Sequence, residues 1–79
     1  MKLIEEHYIQ LPARMHRDER VHRARIAVYA HDDSHRGGWY VELLDLYDRV
    51  VWDEELDECG QVARQARDIL AELDPEEVL

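Results

Sequence analysis

Leu56, Cys59, Ala63, Ala66, Leu70 and Leu73 follow one another at spacings of 3, 4, 3, 4 and 3 residues, which puts all six on one stripe of a helix. Directly before them, from Trp39 to Trp52, apolar and polar residues alternate with the two-residue period of a sheet. A chain with this order of periods packs a single helix on a hairpin. The stripe predicts a helix that opens among Asp53, Glu54 and Glu55, where carboxylates meet the positive end of the helix dipole, and that stops at Asp74 and Pro75. Gly60 lies within that span and costs a helix interior about 1 kcal/mol relative to Ala; it marks either a later start or a close approach of helix to sheet. Cys59, on the apolar stripe, reads as a small buried hydrophobe.

Upstream, Ala24, Ile26, Val28 and Ala30 alternate with Arg23, Arg25, Ala27 and Tyr29, the pattern of a half-buried strand. The turn formers from His31 to Gly38 join it to a second strand from Trp39 to Leu46, and a short third strand follows around Val50, Val51 and Trp52. The segment from Leu3 to Leu11 fits a strand or a short helix equally well, and Pro12 ends it. The expected fold is α+β: a three-stranded antiparallel meander, four-stranded if the first segment joins it, packed against one C-terminal helix. Residues 1–20 read as an N-terminal segment and charged arm, with 13–22 solvated, and residues 21–75 as the sheet-and-helix domain.

Size and charge narrow the possible roles. A chain of 79 residues buries only about 60 to 65% of the surface its unfolded form exposes, so its core is thin and a homo-oligomer is expected. One cysteine excludes an internal disulfide, and no apolar run reaches the roughly 18 residues of a membrane span. The beginning also lacks a signal peptide's apolar stretch, and the expected location is the cytoplasm. The net charge of −9 is unevenly spread: residues 37–79 carry thirteen acids against three arginines, a net of −10, whereas residues 1–36 carry seven basic residues against six acids, a net of +1. A partner for the second half should therefore be basic.

Sites for chemistry are sparse. His31, Asp32, Asp33 and His35 fall on a turn, not on the rigid elements that hold a zinc ion, so neither metal nor cofactor is expected. Cys59 and Ser34 lack the partners of an activated nucleophile, no phosphate-cradling glycine loop is present, and the chain does not read as an enzyme. Arg14, Arg17, Arg20 and Arg23 form a basic arm that offers an alternative, contact with nucleic-acid phosphates. A third alternative is a structural or assembly module in which Trp39 and Trp52 serve packing.

Gly37-Gly38-Trp39-Tyr40-Val41, Leu44-Asp45-Leu46, Asp53-Glu54-Glu55-Leu56 and the register Leu56, Cys59, Ala63, Ala66 together resemble the sheet-and-helix domain of HicB-type antitoxins over residues 24–73. The resemblance places the turn and second strand, the Pro-Asp-Leu core of the family's signature, and the helix start at those positions. Both prolines and the glycine of the signature are replaced here, by Leu44, Tyr47 and Asp48. Nothing after Leu73 matches the DNA-binding segment of such antitoxins. The resemblance implies a protein that neutralises a basic ribonuclease toxin without binding operator DNA. The acids expected to meet such a partner are Glu42, Asp45, Asp48, Asp53, Glu54 and Glu55.

Overall fold

The computed structural model describes residues 2–16, 20–31 and 37–78. Four strands, β1 (Lys2–Ile9), β2 (Arg23–Ala30), β3 (Gly38–Leu44) and β4 (Val50–Leu56), form one antiparallel sheet in the order β1-β2-β3-β4. One helix, α1 (Val62–Glu72), follows, and single 3₁₀ turns lie at Ala13–Met15 and Pro75–Val78. This is an α+β fold, and the first segment resolves as a strand that makes the meander four-stranded. No helix among the described residues is long and apolar enough to cross a membrane.

The core lies between one sheet face and α1. Ala24 and Ile26 of β2 stand opposite Leu43 and Val41 of β3, and Leu43 and Trp39 in turn stand opposite Trp52 and Leu56 of β4. Ala66, Leu70 and Leu73 close over Ala24, Ile26, Val41, Leu43 and Leu56 in one buried cluster, with Val62, Ile69 and Trp52 packed at its margin.

β4 corrects the expected helix start. Val50, Val51 and Trp52 favour a strand, and pairing Trp52 with Leu43 and Leu56 with Trp39 keeps the chain extended to Leu56. Asp53, Glu54 and Glu55 therefore lie on a strand, and the helix begins at Val62. Gly60 sits in the turn before the helix, where an added Cβ would meet nothing within 4 Å, so it marks the later start and not a close approach.

The shorter helix also turns the expected stripe. Ala66, Leu70 and Leu73 are buried as expected, but Ala63 faces solvent and Val62 and Ile69 take the inner positions. Cys59, expected in the core, is an exposed thiol in the β4–α1 connection.

The segment expected to be a solvated arm also differs. Met15 is fully buried at the end of a turn in which its N–H bonds Pro12 O at 2.9 Å, and Val21 is buried beside it in the same cluster. A lone methionine among charged residues carries no periodicity, so its burial in the core cluster is set by the tertiary fold. Arg14, next to it, donates to the carbonyls of Leu70 and Ala71, satisfying groups that the last turn of a helix leaves open.

Met15→Ala should lower unfolding free energy by about 2 to 5 kcal/mol, the range for emptying a core site. Cys59→Ser should change it by less than about 0.5 kcal/mol, as for an exposed position. Urea denaturation of both variants reads the difference.

Candidate functional site

Strand alternation divides the acidic residues between two environments. Glu42 of β3 points to the sheet face away from α1, next to Arg25 on β2 and Asp53 on β4. It is only 2% exposed, and its carboxylate accepts Arg25 Nε at 2.8 Å and the Tyr29 hydroxyl at 2.8 and 3.0 Å. Arg25 extends the network, giving Nη1 to Glu6 at 3.0 Å and Nη2 to the Tyr29 oxygen at 3.1 Å. Tyr40 closes against Tyr29 edge to face, with ring centroids 5.8 Å apart. Ala27, between Arg25 and Tyr29 on the same face, is fully buried.

Glu42 is thus an internal counter-ion and not the surface ligand expected of it, because a carboxylate enclosed beside a guanidinium is held by that charge. Burial of Arg25 opposes its charged form, but the hydrogen bond to Glu42 and the charge of Glu42 outweigh it and raise the guanidinium further above its ordinary range. Burial also raises Tyr29 above its ordinary value of 10.0, and its hydrogen bond to Glu42 adds to the shift.

Asp45 and Asp48 also serve the fold. Asp45 accepts the backbone N–H of Tyr47 at 2.8 Å and of Arg49 at 2.9 Å, and pairs with Arg49 Nε at 2.9 Å, which together build the β3–β4 turn. The Arg49 N–H holds the Asp45 carboxyl below the ordinary carboxylate range; desolvation opposes this, and the Tyr47 N–H supports it. Asp48, with φ of 61°, takes the left-handed conformation that Asp tolerates in tight turns and pairs with Arg23.

Asp53, Glu54 and Glu55 remain. All three are exposed, and among the described residues none is in an ion pair. They lie on β4, an outer strand of the sheet, so the far row of its backbone N–H and C=O groups faces no neighbouring strand among the described residues. Asp53 and Glu55 flank that row on the Tyr40 face, and Glu54, opposite Val41, flanks it on the helix face. The edge runs into an open cleft of about 500 Å³ lined by Tyr29, His31, Trp39, Glu55, Asp57 and Glu58, where Trp39 Nε1 donates to Glu58 at 2.9 Å.

The basic arm does not form a free row. Arg14 caps α1, and Arg23 pairs with Asp48 while its guanidinium lies 4.7 Å from the centre of the Tyr8 ring. Arg20 is exposed and engaged in contacts of its own, and Arg17 lies outside the described residues. Asp32, Asp33, Ser34 and His35 also lie outside them; among the described residues no three His, Cys, Asp or Glu side chains are grouped to hold a metal ion.

Compared with known proteins, the chain matches no family model, no curated protein and no solved structure. The residues that the sequence did not single out are Glu6, Arg25, Tyr29 and Tyr40. Their signal is an arginine, a tyrosine and a glutamate on the outward sides of neighbouring strands, which becomes an ion pair only once Arg25 stands opposite Glu42.

Arg25→Met should cost about 3 to 5 kcal/mol, because it leaves the buried Glu42 charge without its partner, and Glu42→Gln should cost less, because Arg25 keeps its pair with Glu6; the double variant should recover much of the larger loss. Tyr29 raised above its unfolded value contributes stability below pH 10 that is lost as pH rises beyond it. Tyr29→Phe should accordingly flatten the alkaline limb of a stability profile taken by urea denaturation at successive pH values.

Proposed function

We propose that the chain is a protein-binding module whose β4 edge accepts an extended segment of a basic partner. The observation that carries this reading is the position of Asp53, Glu54 and Glu55: three consecutive carboxylates, unpaired among the described residues, on both sides of an open strand edge. A strand added there gains a ladder of main-chain hydrogen bonds, and basic side chains on both of its faces meet opposite charge. The same acids oppose addition of a second acidic edge, so charge selects the partner.

The resemblance to HicB-type antitoxins gives the partner a class, a small basic ribonuclease toxin. The positions of Gly37–Val41 at the turn and start of β3 agree with that resemblance, while Asp53–Leu56 on a strand and exposed Cys59 and Ala63 depart from it. The reading therefore rests on the acidic edge first and on the resemblance second. A nucleic-acid role for Arg14, Arg17, Arg20 and Arg23 has less support, since Arg14 and Arg23 are engaged within the fold.

A lysine- and arginine-rich peptide of about eight residues, enough to match a strand, titrated into the labelled protein should shift β4 amides first. Reversing Asp53, Glu54 and Glu55 to lysine should weaken that binding more than tenfold, and added salt should weaken it in the wild type. Shifts centred away from β4, or binding that survives the reversal, would overturn the proposal. For the toxin class, a basic ribonuclease encoded beside this chain should lose RNA cleavage on mixing with the wild type and retain it with the reversed variant.

A further inference from the structure

The sheet has a second open edge with different chemistry. Seven of the eight residues of β1 are exposed along the strand, and Leu3, Ile4 and Tyr8 supply three of the six exposed large hydrophobic residues among the described residues. A long exposed edge of this kind is a template for another strand unless something blocks it.

We propose that β1 is the edge through which two copies of the chain associate, pairing antiparallel over Glu5–Ile9 around a two-fold axis at His7, so that two four-stranded sheets become one of eight. Charge and closure select this pairing among the three available. Joining β4 to β4 sets Asp53, Glu54 and Glu55 against the same residues of the other copy, and like charges repel. Joining β1 to β4 leaves a free β1 at one end and a free β4 at the other, an open-ended assembly. Joining β1 to β1 closes on two chains and leaves both acidic edges outward. The choice does not depend on what β4 binds.

Register narrows the seam further. A two-fold axis normal to the sheet keeps each face on its own side, so residues an even number of positions apart oppose one another. The ladder to β2 shifts between Leu3 and Glu5, and such a bulge distorts the strand, which leaves Glu5–Ile9 as the regular stretch. Centring on His7 sets Glu5 opposite Ile9 and Glu6 opposite Tyr8, with no carboxylate opposite another. Centring on Glu6 would oppose two glutamates. Glu6 is further neutralised by Arg25 of its own chain at 3.0 Å, and His7 Nε2 lies 2.5 Å from Glu5 of its own chain. A 79-residue chain with a core on one sheet face also gains from oligomerisation.

Sedimentation of the wild-type chain should show a species of twice 9.5 kDa, with β1 amides gaining hydrogen-exchange protection as concentration rises. Opposed residues of an antiparallel pair have Cα atoms about 4.5 to 5.5 Å apart, within disulfide reach. In a Cys59→Ser background, His7→Cys should therefore become a covalent dimer on mild oxidation, and Glu54→Cys should stay monomeric. A wild-type monomer up to the solubility limit would overturn the proposal, as would a dimer that cross-links at position 54 and not at position 7, or one whose β1 amides gain no protection.

Discussion

Pairing of β4 with β3 is the constraint on which the rest of the structure depends. Leu43 meets Trp52 and Trp39 meets Leu56 across that pair, and both contacts hold residues 50–56 extended. The helix can then begin only after the turn at Gly60, and its inner face becomes Val62, Ala66, Ile69, Leu70 and Leu73. The same pairing puts Glu42 beneath neighbouring side chains and leaves Asp53, Glu54 and Glu55 at the rim. One ladder thus fixes the core, the helix start and the acidic edge.

The two sheet faces are stabilised by different physics. Burial of aliphatic side chains against α1 drives one of them. The other is tied by the Arg25, Glu42, Tyr29 and Glu6 network, whose members satisfy one another's donors and acceptors. A buried pair of this kind adds little net stability over an apolar pair of the same shape, but it strongly penalises any register that separates its members. Its position between β2 and β3 makes it suited to fixing that register, with Arg25 opposite Glu42.

The edges divide in the same way. β4 carries charge on both sides of its free backbone and is built to refuse its own kind, and β1 presents Leu3, Ile4 and Tyr8 beside a bulge. The proposed basic partner on β4 and the proposed second copy on β1 would use opposite ends of the same sheet. The two proposals are therefore compatible.

Periodicity by itself determined the α+β class, one strand within 21–30 and another within 39–46, the hairpin between them, and Ala66, Leu70 and Leu73 as the inner face of a C-terminal helix, because alternation and helical spacing are local properties. It also located the excess of acid in the second half. Only the tertiary structure decided which acids are free, since Glu42 and Asp53 look alike in sequence and differ in whether a strand lies on both sides of them or on one. Leu56 and Cys59 fit a helical stripe as well as they fit a strand end and a turn, and the partners Trp39 and Leu43 decided between the two. Met15 was hidden for the same reason. A single apolar residue among charges has no period, and its burial depends on where the chain passes after its fold has brought distant strands together.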